Sequence, residues 1–123
     1  MRIITEPEFD AAIRDLLLSD RFLDCNFVTG PGRSGAIAAV YASHILRIPF
    51  VPQGSMPPES CLRLLVIDTA TESGATLRKM TRKYARFSPI VEAVFHEPPR
   101  VAFWYEATKP QHYKHEATTC PQE

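Results

Sequence analysis

Residues 62–76 read LRLLVIDTATESGAT. The first six residues form a nearly continuous apolar run, which is typical of a strand buried on both faces of a parallel sheet. An acid, several small hydroxyl residues and a glycine follow, and the pattern then predicts a helix through about Tyr84. A polar turn between a buried strand and a helix points backbone N–H groups and the positive end of the helix dipole at one place. Residues 68–76 therefore predict an anion site.

The same order of strand, polar turn and helix occurs earlier in the chain. Residues 25–29 predict a strand, GPGRSG at 30–35 predicts a loop, and the small residues that follow predict a helix through about Leu46. Further strands are predicted at 48–51 and 90–95, and Thr5 and Glu8 have capping-box spacing at the start of an amphipathic first helix. This alternation predicts a single α/β domain with a mostly parallel, twisted sheet and helices on both faces. Both polar turns then face one crevice at the carboxyl edge of the sheet.

Composition restricts the kind of partner. The 123 residues suffice for one domain, and fourteen basic residues balance fourteen acidic ones, which argues against nucleic acid as a partner. No apolar run approaches the roughly 20 residues that span a bilayer, and three widely separated cysteines favour a reduced, cytoplasmic protein. The basic residues within 78–86 are interpreted as a solvated helix face. Residues 1–106 form the predicted domain, and residues 107–123 a polar, flexible tail.

The 68–76 turn has the chemistry of a phosphate and sugar site. Its later residues supply amides and hydroxyls for a phosphate, and Asp68 at the strand end can accept hydrogen bonds from the vicinal hydroxyls of a sugar. The alternative is an ordinary turn in which serine, glycine and threonine only cap a helix.

Residues 66–76 resemble the phosphoribosyl-diphosphate-binding motif of the type I phosphoribosyltransferases, and residues 3–106 follow the same order of segments. Within that family the bacterial xanthine-guanine phosphoribosyltransferases are the most similar. The resemblance implies a catalytic role for Glu72, which would manage a proton on a purine base. It implies pyrophosphate binding by Gly32, Arg33, Ser34 and Gly35, with a plain glycine-rich turn and a solvated arginine as the alternative. It implies that the ribose and the 5-phosphate are bound by Asp68, Thr69, Thr71, Ser73, Gly74, Ala75 and Thr76.

The base pocket is also implied by the resemblance. Glu97 falls where similar enzymes carry a lysine that bonds a purine 6-oxo group, so a hydrogen-bond acceptor replaces a donor and an adenine-type base is favoured. The aromatic residues have an alternative role in a hydrophobic core or a dimer surface. The implied pocket consists of Glu97, Arg100, Val101, Phe103 and Trp104.

Two departures from the family pattern concern catalysis. Thr69 replaces the second of two adjacent acids, which leaves Asp68 to hold magnesium through the ligand's oxygens. Residues 52–61 are too short for the mobile lid that covers the diphosphate in active members.

Three functions therefore stay open. The first is a phosphoribosyltransferase-like protein that binds phosphoribosyl diphosphate or a nucleoside monophosphate, with transfer of phosphoribose to or from a purine base. The second is a non-catalytic nucleotide sensor or decoy. The third is a structural homodimer with vestigial loops.

Overall fold

The computed structural model describes residues 2–71, 74–96 and 102–107. Short 3-10 turns at Asp20–Phe22 and Ala85–Phe87 lie between the main elements. In chain order those elements are β1 (Ile3–Ile4), α1 (Glu6–Leu17), β2 (Phe27–Thr29), α2 (Gly32–Leu46), β3 (Leu64–Ala70), α3 (Ala75–Lys83), β4 (Ile90–Phe95), β5 (Ala102–Phe103) and α4 (Trp104–Ala107).

The sheet is parallel, as predicted. Its strand order is β2-β3-β4, and Thr29 pairs with Val66 while Asp68 pairs with Ala93. Phe50 forms a parallel bridge to Val28 at the outer edge of β2. After β2 the chain thus moves outward to Phe50 and then returns to the other side of β2 to form β3. The strand order therefore reverses between β2 and β3, which makes a topological switch point there.

Helices cover both faces of the sheet, which confirms the predicted α/β class. Leu65 and Ile67 of β3 pack in one core cluster with residues of α1 and α2. Leu64 and Val66, which point to the opposite face, pack with Leu77, Met80 and Tyr84 in a second cluster. The β3 strand reads as a continuous apolar run because both of its faces are buried.

The first two helices follow from local sequence. The Thr5 hydroxyl caps α1 by accepting from the Glu8 amide at 3.3 Å, as the capping-box spacing predicts. Small residues on α2 allow it to approach the sheet closely, and Ala38, Ala39 and Ala42 are fully buried. A second short parallel pair, β1 with β5, lies beside this core.

Three predicted boundaries were wrong. The strand at 48–51 is reduced to the Phe50 bridge, because Pro49 has no N–H and offers only its carbonyl, which accepts from Val28 at 3.0 Å. The loop at 30–35 ends early, since α2 begins at Gly32. The buried strand starts at Leu64 and continues to Ala70 along β4, so Asp68 and Thr69 are strand residues rather than loop residues.

Most of the predicted tail, residues 108–123, lies outside the described residues. Among the helices that are described, none has both the length and the apolar character required to cross a bilayer.

Candidate functional site

The two polar turns emerge side by side from the carboxyl ends of β2 and β3. Glycine at position 30 permits this, because a Cβ there would stand 2.5 Å from the Ile67 carbonyl oxygen and 2.1 Å from the Gly35 carbonyl oxygen. Gly35 is equally tight, with its Cβ position 2.7 Å from the Gly30 carbonyl carbon. The first turn of α2 is therefore packed directly against β3. Gly35, expected at the pyrophosphate, is buried, and its amide donates to the Pro31 carbonyl at 2.9 Å.

The first turn of α2 carries the other three residues expected to bind pyrophosphate. Gly32 has a left-handed φ of 62° and an exposed position. Its amide donates to the side-chain oxygen of Gln53 at 2.8 Å. The Arg33 side chain is exposed, and the Ser34 hydroxyl, half-buried, accepts from the Tyr105 hydroxyl at 2.8 Å. These groups are at the switch point, but two of them already have partners from other parts of the chain.

The end of β3 presents Asp68 and Thr69 on opposite faces of the sheet. Asp68 shares a face with Val66, toward α3, and its Oδ1 accepts from the Thr69 amide at 2.7 Å. Thr69 shares a face with Ile67, toward α2, and is 3% exposed. The Thr69 hydroxyl nevertheless donates to Asp68 Oδ1 at 3.5 Å, so the two side chains meet at the end of the strand.

The turn between β3 and α3 is held by its own hydroxyl. The Thr71 Oγ1 accepts from the Gly74 amide at 2.9 Å, and the Thr71 amide donates to the Phe95 carbonyl at 3.0 Å. Gly74 caps α3 in the left-handed conformation with φ 78°. Thr71 thus shapes the turn, and the Gly74 amide is engaged within it.

The first turn of α3 is exposed at the carboxyl edge of the sheet. Ala75 and Thr76 are exposed in this turn, where backbone N–H groups point along the helix axis. The guanidinium of Arg78 lies beside this turn, with Nη1 3.2 Å from the Cβ position of Gly74. Arg78 therefore adds positive charge at the N-terminus of α3. Its position differs from the predicted role of this residue on a solvated helix face.

Tyr105 enters the same region from α4. Its hydroxyl donates to Ser34 at 2.8 Å, and the side chain of Thr69 lies close enough to affect the pKa of the phenol. Burial raises the pKa of the Tyr105 phenol, although the hydrogen bond to Ser34 and the nearby Thr69 side chain act in the opposite direction.

Of the residues expected in the base pocket, Phe103 and Trp104 lie in the described part of the chain. Phe103 is 2% exposed and lies 6.0 Å from the ring of Phe9, so its ring belongs to the hydrophobic core. Trp104 is half-buried and 5.8 Å from the same ring. The remaining expected site residues lie outside the described part of the chain: Glu72, Ser73, Glu97, Arg100 and Val101.

Sequence reasoning missed three contributors. Arg78 was assigned to a solvated basic face, and Tyr105 was left out of the predicted base pocket. Gln53 lies in a proline-rich connection, and nothing in its neighbourhood indicates a contact with a glycine 21 residues away. Of these three, only Tyr105 could have been found from the sequence, because it lies in the aromatic run at 103–105.

Parallel strands that place two polar turns at a switch point define an α/β protein whose turns lie at the carboxyl edge of the sheet, where ligands of open parallel sheets commonly bind. Neither a protein-family model nor a curated protein matches the sequence. Solved structures do match. A purine phosphoribosyltransferase from Pyrococcus horikoshii has a TM-score of 0.69 at 19% identity, covering 89% of this chain and 97% of its own.

Two further structures extend the comparison. A xanthine-guanine-hypoxanthine phosphoribosyltransferase from Helicobacter pylori has a TM-score of 0.67 at 12% identity, over 86% of this chain and 92% of its own. A hypothetical protein from Neisseria gonorrhoeae with bound ppGpp has a TM-score of 0.65 at 15% identity, over 96% of this chain and 97% of its own. The chain has the fold of the type I phosphoribosyltransferases. No sequence match singles out the bacterial xanthine-guanine enzymes within that fold.

Proposed function

We propose that this protein binds a phosphoribosyl ligand, either phosphoribosyl diphosphate or a nucleoside monophosphate, in the crevice between the β2–α2 and β3–α3 turns. One observation carries the proposal: the end of β3 brings Asp68 and the exposed first turn of α3 to the switch point, directly beside the first turn of α2. The fold, which purine phosphoribosyltransferases share, makes a phosphoribosyl group the ligand that suits this arrangement.

The two ends of the ligand have different partners. The 5-phosphate lies at the N-terminus of α3, where Thr76 and the guanidinium of Arg78 supply donors and positive charge. Asp68 accepts from the ribose hydroxyls. A diphosphate lies by the first turn of α2, near Arg33 and the Gly32 amide.

Magnesium fits this donor set only through the ligand. Within residues 2–71, 74–96 and 102–107 no cluster of three histidine, cysteine or acidic side chains could enclose a metal. Magnesium commonly uses one or two carboxylates together with substrate phosphates, and Asp68 at the crevice is such a carboxylate. Asp68 would hold the ion beside the ribose and diphosphate oxygens, and the ion would neutralise charge on the diphosphate.

Transfer of phosphoribose to a purine is the catalytic form of this proposal. In this form, Glu72 would transfer a proton to or from the base, and Glu97 would favour an adenine-type base. Both roles are inferred from the family resemblance. A diphosphate leaving group has to be shielded from water for efficient transfer.

A nucleotide sensor is the second candidate, and two observations favour it. The connection after Phe50 is short and places the Gln53 side chain on the Gly32 amide, where a diphosphate would need that donor. A protein of the same fold, with 97% of its chain spanned, was solved with ppGpp. Retained binding without turnover is the expected behaviour of such a protein.

Binding and turnover are measured separately. Calorimetry with magnesium present and absent would use phosphoribosyl diphosphate, adenosine monophosphate, guanosine monophosphate and ppGpp. Pyrophosphate release would be followed with phosphoribosyl diphosphate and adenine, hypoxanthine, guanine or xanthine. We expect binding of at least one phosphoribosyl ligand, and loss of that binding in Asp68→Asn but not in Asp24→Asn, an exposed acid on the surface.

The outcomes separate the candidates. Pyrophosphate release that requires a base supports the transferase, and binding without release supports the sensor. Failure of every ligand to bind would refute the proposed function and favour a structural role.

A further inference from the structure

The ring of Tyr105 is fixed in place independently of its hydroxyl group. It stacks on Phe103 with centroids 5.7 Å apart and planes 9° apart, and it meets Trp104 edge-on at 5.0 Å. Phe103 is in turn anchored in the core and pairs through β5 with Ile4 of β1. Because the ring packs against these aromatic side chains, the phenol oxygen is held in one position.

The hydroxyl lies between the first turn of α2 and the end of β3. Ser34, which accepts from it at 2.8 Å, lies in the first turn of α2. Thr69, whose nearby side chain lowers the pKa of the phenol, lies on β3 next to Asp68 and is 3% exposed. The contact between Tyr105 and Ser34 spans 71 residues of chain, so it connects segments that have no local reason to stay at a set distance.

Both of these residues are adjacent to groups assigned to the ligand. Ser34 follows Arg33 directly, and the Thr69 amide donates to the Asp68 carboxylate at 2.7 Å. A change in the position of either hydroxyl therefore changes the distance between the diphosphate end and the ribose end of the crevice.

We propose that Tyr105 is a positioning residue that sets the spacing between the β2–α2 and β3–α3 turns and thereby favours a ligand that occupies both. This inference rests on the proposed function, because it takes the two turns as the two ends of one ligand site. The Tyr105 hydroxyl does not contact the ligand itself in this proposal.

Ligands of different reach test the inference by calorimetry. Inorganic pyrophosphate occupies the α2 turn, ribose 5-phosphate occupies the α3 turn, and phosphoribosyl diphosphate spans both. Tyr105→Phe removes the hydroxyl and keeps the ring on Phe103. Tyr41→Phe is the matched control, since it removes a hydroxyl that donates to Glu6 at 2.7 Å, on the α1–α2 side of the molecule.

We expect Tyr105→Phe to weaken phosphoribosyl diphosphate by about threefold to tenfold, the usual consequence of losing one hydrogen bond. The two short ligands should change by less than about twofold, because each needs only one turn. Tyr41→Phe should leave all three unchanged. Equal weakening of all three ligands, or of none, in Tyr105→Phe would overturn the inference.

A ligand-free measurement keeps the inference testable on its own. Amide hydrogen exchange in Tyr105→Phe should accelerate in residues 33–36 and 69–71 while β4 keeps its protection, and Tyr41→Phe should show no such local change. Unchanged exchange in both turns would also overturn it. If the wild-type protein binds none of the three ligands, the proposed function fails, whereas the exchange result still decides whether Tyr105 couples the turns.

Discussion

The side-chain oxygen of Gln53 accepts the hydrogen bond of the Gly32 amide at 2.8 Å, across 21 residues of chain. Gln53 is itself held by its backbone carbonyl, which accepts from the Tyr84 hydroxyl at 3.2 Å and from Lys83 at 3.3 Å. The carboxamide thus occupies a donor that the proposed function assigns to a diphosphate.

Removal of this carboxamide should strengthen the binding of pyrophosphate. We expect Gln53→Ala to bind inorganic pyrophosphate about threefold to tenfold more tightly, because the Gly32 amide no longer has to give up an internal partner. Gln53→Glu should bind it more weakly than the wild type, since a carboxylate would stand beside the anion. Calorimetry measures both, and weaker binding by Gln53→Ala would mean that Gln53 supports the turn instead of competing for it.

Gly74 should be essential for a phosphate at α3. Gly74→Asp places a negative charge at the helix N-terminus and a side chain on a residue with φ 78°, so binding of adenosine monophosphate should fall by about tenfold or more. Gly54→Asp is the control, because a Cβ at Gly54 meets nothing within 4 Å and the position lies outside the two turns. Calorimetry on folded variants checks this, and unchanged affinity in Gly74→Asp would remove the α3 N-terminus from the site.

Asp68 should distinguish a ribosyl ligand from free phosphate. Asp68→Asn keeps an oxygen that can accept from the Thr69 amide, so the turn stays folded, but it weakens acceptance from the ribose hydroxyls. We expect loss of affinity for ribose 5-phosphate by roughly tenfold with little change for inorganic phosphate. Titration with both anions tests the assignment, which equal losses would contradict.

Thr29 offers a test of stability. Its hydroxyl, at the end of β2, is fully buried with no hydrogen-bond partner among the described residues. Thr29→Val replaces that group with a methyl of similar shape and should stabilise the fold by about 1 kcal/mol, raising the Tm by roughly 3–6 °C.

The control for Thr29 is a threonine with a satisfied hydroxyl. Thr81 donates to the Leu77 carbonyl at 2.9 Å, so Thr81→Val should leave the Tm unchanged or slightly lower. Thermal unfolding followed by circular dichroism compares the two. A lower Tm in Thr29→Val would show that the buried hydroxyl has a partner in solution.

Glu92 should make the fold sensitive to acid. Burial of this β4 carboxyl raises its pKa, but hydrogen bonds from Arg21 at 2.7 Å, the Ala93 amide and His96 outweigh burial and leave the pKa below its ordinary value. A lowered pKa in the folded state contributes stability above the ordinary value of 4.5, which is lost as the pH falls through the folded value. The Tm should therefore drop below about pH 4.5 in the wild type.

Glu92→Gln should show a flatter Tm profile in that acidic window and a lower Tm at neutral pH. Glu59→Gln, which changes an exposed carboxylate in the 51–63 connection, should keep the wild-type profile. Identical profiles for Glu92→Gln and the wild type would mean that the contact with Arg21 contributes nothing to acid stability.

Local patterns predicted the elements that depend on neighbouring residues. The Thr5 cap of α1 and the strand at Ile90–Phe95 were predicted correctly, because capping and alternate burial act over a few residues. Pairing over longer distances caused the errors. Residues 68–70 were assigned to a loop, but partners on β4 extend the strand through them.

By itself the sequence determined an α/β chain with a polar turn after each of two buried strands, since apolar runs and glycine-containing turns carry that information locally. Only the tertiary structure decided which groups in those turns are occupied. Gln53 reaches Gly32, and Tyr105 reaches Ser34, because the folded sheet brings together segments 21 and 71 residues apart. No periodicity or composition in the sequence predicts hydrogen bonds between such distant residues, so these bonds form only when the core packs.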